Sequence, residues 1–136
     1  MTSKKTRYTD RHAASGVDAK LPGLETWPSQ YADDYEVVIT TPEFTSICPK
    51  TGLPDFATLT IKYVPKARCV ELKSLKEYLN AYRNLGIFNE NVVNRVLEDL
   101  ARAMRPRRLT VRGVFTPRGG MQTTVEATFP SARARG

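Results

Sequence analysis

The chain is 136 residues long, 40% of them apolar, with a formal net charge of +7. That length suits one compact domain with a core of its own. No apolar run approaches the roughly 20 residues that span a bilayer, and the basic start MTSKKTRYTD leads into no apolar stretch, so no secretion signal is expected.

Residues 1–30 read as a polar arm in which lysine, arginine, glycine and proline are scattered without a period. Leu21, Leu24 and Trp27 are the residues by which part of it would order against a neighbour. Residues 31–136 make a single domain. YEVVITTPEF reads as a strand that ends at Pro42, and a turn-rich loop from Cys48 to Asp55 follows. ATLTIKYVP alternates, with Leu59, Ile61 and Tyr63 on one side and Thr60 and Lys62 on the other, the pattern of a half-buried strand. RCVEL either continues that strand past Pro65 or forms a short element of its own.

The period then lengthens. Leu75, Tyr78, Leu79 and Tyr82 recur at helical spacing and predict a helix whose capping box is Ser74 with Glu77 and whose end is Asn84–Leu85–Gly86. A second helix begins near Asn89, buries Val93, Val96, Leu97 and Leu100, and stops at Pro106. RRLTVRGVF and MQTTVEATF are strands joined by the turn TPRGG. Leu109, Val111 and Val114 are read as sharing one side of the first, and Thr123, Val125, Ala127 and Phe129 one side of the second. The order predicts an α+β domain: a four-stranded antiparallel sheet with both helices on one face. The other face and the open edges are expected to be covered by further subunits.

Cys48 is either a small buried hydrophobe or a nucleophile, and a thiolate needs nearby N–H groups or a cation such as Lys50 to lower its pKa. Asp55 is either a loop carboxylate or a proton donor. His12 lies in the arm, so no Cys–His pair forms, and two cysteines with one histidine give no metal spacing. Free thiols suit a reducing compartment. Lys73 and Lys76 share a helix face near an N-terminus suited to phosphate, or are simply solvated. Arg118, beside Gly119 and Gly120, is a second anion contact or part of a turn. Glu90 complements the dipole of the second helix or binds the N–H edge of a purine-like ring. Eight arginines and one acidic residue fall between Ala101 and Gly136. Such a surface attracts anions, although no aromatic residues are interleaved for nucleic-acid stacking.

FTSICPKTGLPDFA, ELKSLKEYLNAYRN, GIFNEN and FTPRGG together resemble, in order and spacing, the short form of the NADPH-dependent nitrile reductases of queuosine biosynthesis. That family converts 7-cyano-7-deazaguanine to its 7-aminomethyl form. The resemblance covers roughly residues 35–130. It implies the tunnelling fold, a cytoplasmic homo-oligomer of two stacked rings, and active sites between subunits. It implies that Cys48 adds to the nitrile carbon to give a thioimide, that Asp55 protonates the nitrogen and that Glu90 anchors the ring, with Asn89 beside it. Glu71, Lys73, Ser74 and Lys76 match the signature associated with NADPH. Of these, Glu71 and Ser74 are assigned toward the substrate, and the two lysines, with Arg118, Gly119 and Gly120, toward the cofactor.

Two positions depart from the family pattern. Asn89 stands where a histidine usually precedes the glutamate, and Asn89 can also be the cap of its helix. Val92 stands where some members carry a cysteine that pairs with the nucleophile. Two other readings are a tRNA enzyme that uses the same thioimide to form an amidine without NADPH, and a non-enzymatic basic nucleic-acid-binding module. The ELKSLK stretch weighs against the first, and direct tRNA binding is not expected.

Overall fold

The computed structural model of the chain describes residues 7–131. In chain order the elements are α1 (Asp10–Ala13), β1 (Thr26–Pro28), β2 (Val37–Ile47), β3 (Pro54–Val64), β4 (Arg68–Val70), α2 (Leu72–Asn80) with a 3-10 turn (Ala81–Asn84), α3 (Asn89–Met104), β5 (Arg108–Phe115) and β6 (Thr124–Phe129). Strands β2, β3, β5 and β6 form one antiparallel sheet in that order. The short strands β1 and β4 pair with each other, so RCVEL is an element of its own.

Both helices lie on one sheet face, α3 over β5 and β6, and α2 with its 3-10 turn over β2. Leu59, Ile61, Leu109, Val111, Val93, Val96 and Leu100 form the centre of the core, where none is exposed. The alternation of the strands and the helical period of α3 put these side chains on facing surfaces. The opposite face stays open: Val38 is 55% exposed and Phe56 49%. Leu21 and Leu24 pack against this chain's own core. No described helix is long and apolar enough to cross a membrane.

Four details differ from the expectations. First, β2 does not end at Pro42 but runs on to Ile47 through a bulge between Thr41 and Phe44. Proline lacks a ladder donor, and a bulge is where a strand tolerates it. The extra residue changes the phase, so Val37, Ile39 and Thr41 turn toward the core before it, and Phe44, Ser46 and Cys48 after it. Second, Glu71 rather than Ser74 is the N-cap of α2, because its carboxylate accepts from both Lys73 N–H and Ser74 N–H. Third, Val114 points away from Leu109 and Val111, which share their side with Gly113 and Phe115. A Cβ at Gly113 would stand 2.9 Å from both Val93 and Phe115, so its missing side chain lets α3 approach the sheet. Fourth, Phe88 occupies the N-cap position of α3 and Asn89 is the first helical residue.

Four of the six described arginines of the basic C-terminal segment form ion pairs. Arg102 pairs with Asp99, Arg107 with Asp34, Arg112 with Glu126 and Arg118 with Asp55. Arg133 and Arg135 lie outside the described residues.

Candidate active site

Cys48 and Asp55 are brought together by the β2–β3 hairpin. The Cys48 N–H donates to Leu53 O and the Gly52 N–H to Cys48 O, both at 2.9 Å, closing a tight turn. Gly52 sits at φ +74, a region other residues avoid. Past the turn Ser46 stands opposite Asp55, and the phases of both strands place Cys48 and Asp55 on the helix side. Both are nearly buried, at 9% and 7% exposure.

Two further segments close on the hairpin. The backbone of Ile47 bonds to Leu85 O and to Ile87 N–H, at 3.0 and 2.9 Å, which sets the start of α3 beside Cys48. From the β5–β6 loop, Arg118 Nη1 donates to Asp55 Oδ1 at 2.6 Å. The loop turns at Gly119 and Gly120, both at positive φ. The result is a cleft of about 250 Å³ lined by Tyr8, Cys48, Thr51, Asp55, Phe88, Asn89, Glu90 and Arg118.

The electrostatics of the cleft favour a thiolate. Burial alone would push the Cys48 thiol up. Hydrogen bonds from the Thr51 hydroxyl and from the backbone N–H groups of Thr51 and Lys50 outweigh it, and the thiol falls below its ordinary value despite the nearby Asp55 charge. Arg118 is held more firmly protonated by its hydrogen bond to Asp55. Asn89 makes no side-chain cap, and its Oδ1 is buried without a hydrogen-bond partner. The Glu90 side chain is exposed at the head of α3.

Five of the residues singled out in the sequence thus meet in one place: Cys48, Asp55, Asn89, Glu90 and Arg118. Arg118 reaches it through Asp55. The other group lies elsewhere. The Glu71 carboxylate is engaged by the N–H groups of Lys73 and Ser74, which lower its pKa. The Ser74 hydroxyl donates to Glu71 O and accepts from Glu25 N–H, both at 2.9 Å. The N–H groups read as open to phosphate are therefore in use inside the chain. The Lys73 and Lys76 side chains are exposed and form none of the ion pairs found among the described residues. Lys76 lines a separate groove with Glu43, Thr45 and Arg83. The exposed ammonium groups of Lys73 and Lys76 and the guanidinium of Arg83 are of the kind that bind phosphate, with Glu43 the one carboxylate lining the groove of Lys76 and Arg83.

Sequence reading missed Tyr8, Thr51 and Phe88 as cleft residues. Thr51 and Phe88 adjoin residues already singled out. Tyr8 carries no local signal, because it comes from the aperiodic arm.

Residues 54–134 match the family described as QueF-like protein. A protein of Elusimicrobium minutum (strain Pei191), named NADPH-dependent 7-cyano-7-deazaguanine reductase, is 52% identical over 122 residues, covering 90% of this chain and 92% of that protein. A protein of the same name from Chlorobium phaeovibrioides (strain DSM 265 / 1930) is 55% identical over 105 residues, covering 76% of this chain and 90% of that protein. The crystal structure of the archaeosine synthase QueF-Like in the apo form matches with a TM-score of 0.65 at 21% identity, over 74% of this chain and 95% of that one. At that identity the likeness carries the fold, and the fold is the tunnelling fold.

Proposed function

The chain belongs to the QueF-like protein family, and from that premise we propose that it reduces the nitrile of 7-cyano-7-deazaguanine to the 7-aminomethyl group with NADPH, a step of queuosine tRNA modification in the cytoplasm. The observation that carries this reading is the meeting of a thiol of lowered pKa with Asp55, Asn89 and Glu90 in one cleft.

The chemistry follows from those groups. Glu90 accepts hydrogen bonds from the N–H edge of the deazaguanine, and the unpartnered Oδ1 of Asn89 supplies a further acceptor. This orients the nitrile toward Sγ of Cys48. The thiolate adds to the electrophilic carbon, an S–C bond forms, and one π bond of the nitrile opens. Asp55, which accepts from Arg118, takes the thiol proton and returns it to the nitrogen. The result is a thioimide on Cys48. NADPH supplies the two hydrides that carry this carbon from the nitrile to the amine level. Cys48 leaves as thiolate between them; one further proton completes the amine and another restores the thiol. Lys73, Lys76 and the adjoining Arg83 are the residues suited to the cofactor's phosphates.

We assign this cofactor surface to a neighbour's cleft. Glu71, Lys73, Ser74 and Lys76 do not line the cleft that holds Cys48, and the sheet has two open edges and an open face carrying Val38 and Phe56. A homo-oligomer of two stacked rings, with sites between subunits, joins the two halves. The amidine-forming alternative gives no use to the exposed lysines, and the relatives above half identity are named as NADPH-dependent.

The test is mass spectrometry of the protein mixed with 7-cyano-7-deazaguanine, alongside NADPH absorbance. An adduct on Cys48 and nitrile-dependent oxidation of NADPH are expected, and both vanish in Cys48→Ala. Oxidation that persists in Cys48→Ala refutes the reading.

A further inference from the structure

Tyr8 is 55% exposed, yet it lines the cleft of Cys48, Asp55 and Glu90. Its ring lies 5.5 Å from that of Phe88, tilted by 48°, and 5.6 Å from His12. The Lys50 ammonium stands 5.7 Å from its centroid and donates to the carbonyl of Arg7 at 3.2 Å.

The arm that delivers Tyr8 is fastened to the domain by side chains with no part in the chemistry described above. Arg95 Nη1 donates to Val17 O at 2.9 Å and to Gly16 O at 3.2 Å, and its Nη2 donates to Ala19 O at 2.8 Å. Asn91 Nδ2 donates to Ala13 O at 2.8 Å, and Ser15 Oγ to Gly86 O at 2.6 Å. Gly16, at φ +77, lies so close to the start of α3 that a Cβ there would stand 2.6 Å from Gly86 O. From this clamp the chain passes back through α1, where Thr9 and His12 cap each other, to Tyr8. Ser15 and Gly16 thus set the arm against Gly86 and Ile87, in the segment whose Leu85 and Ile87 backbone groups hold α3 beside Cys48.

We propose that Tyr8 is a positioning and specificity residue, the aromatic wall against which the flat two-ring substrate stacks. This rests on the function proposed above. Glu90 and Asn89 address the polar edge of such a ring and Cys48 its nitrile, but none of them covers a ring face. Tyr8 and Phe88 are the aromatic residues of the cleft, and Tyr8 has the exposed ring. Stacking on an aromatic side chain stabilises any heterocycle with a π face and does not depend on the phenol hydroxyl.

The test is calorimetric titration of 7-cyano-7-deazaguanine into the full chain carrying Cys48→Ala, alone and combined with Tyr8→Ala or Tyr8→Phe, together with steady-state kinetics of the Tyr8 variants with Cys48 intact. Tyr8→Ala is expected to weaken binding and raise KM for the nitrile about tenfold or more, with kcat at saturation kept. Tyr8→Phe is expected to restore both. Binding by the Cys48→Ala parent with no loss in Tyr8→Ala overturns the role of Tyr8 alone. Equal loss in Tyr8→Phe also overturns it, by assigning the effect to the hydroxyl. A parent that binds no nitrile overturns the proposed function and this role with it.

Discussion

Arg118 Nη1 lies 2.6 Å from Asp55 Oδ1, although 63 residues separate them. The guanidinium is 44% exposed and the carboxylate 9%, so the loop brings a solvent-side cation to a nearly buried acid. In the proposed mechanism Asp55 relays the proton, so in Asp55→Asn kcat/KM is expected to fall about 10²- to 10⁴-fold. Arg118→Ala should also lower kcat/KM, with Arg118→Lys restoring only part, because an ammonium lacks the planar fork. Unchanged rates in Asp55→Asn would remove the carboxylate from the mechanism.

The thiol makes a prediction with a definite sign. Burial favours the neutral form of Cys48, and hydrogen bonds from Thr51 and Lys50 favour the thiolate and win. Its alkylation rate should therefore rise with pH around a midpoint below that of an unperturbed thiol. Thr51→Val deletes the hydroxyl hydrogen bond, so the midpoint should move up and the rate at neutral pH should drop. Iodoacetamide kinetics across the pH range check this, and a midpoint that stays put in Thr51→Val contradicts it.

Lys73 and Lys76 separate cofactor binding from thiol addition. In the double variant Lys73→Ala/Lys76→Ala, KM for NADPH should rise and its dependence on salt should flatten. The mass adduct between Cys48 and the nitrile should form as before, since neither lysine lines that cleft. A lost adduct would place them at the thiol instead.

Stability rests heavily on Asp99. Its carboxylate accepts from Tyr78, from Arg95 at 2.8 Å and from Arg102 at 3.1 Å, and its side chain is 12% exposed. Burial holds the phenols of Tyr78 and Tyr82 well above the ordinary range, reinforced at Tyr78 by Tyr82 and Asp99, so they remain neutral donors. Asp99→Ala leaves Arg95 without its charge partner and Tyr78 without its carboxylate acceptor, and should cost about 3–5 kcal/mol in denaturant unfolding. Arg95 also clamps the arm, so the same variant should loosen residues 13–19 to hydrogen exchange.

Most of the fold was legible because its signals are local. The alternation of β3 and the stripe of α3 repeat over many residues, and the core uses those positions. The bulge at Pro42 was not legible, because a proline inside a strand looks the same as a proline that ends one until the partner strand is seen. The α2 cap was misread for a related reason. Ser74 and Glu77 have the spacing of a capping box, but Glu71 reaches the same N–H groups from one turn earlier. In the site, Cys48, Asp55 and Glu90 were readable from motifs. The Asp55–Arg118 pair and the approach of Tyr8 were not, since each joins segments far apart in the chain.

The bulge in β2 has a consequence for how this cleft tolerates change. Two residues there occupy the space of one opposite Thr58, and everything beyond them inherits the offset. Deleting Glu43 would leave every reactive group in the chain, yet it would turn the sulfur at the strand's end toward the bare side of the sheet. The direction of the Cys48 sulfur is therefore encoded by a count of residues, a property that substitutions one at a time leave untouched and a single deletion reverses.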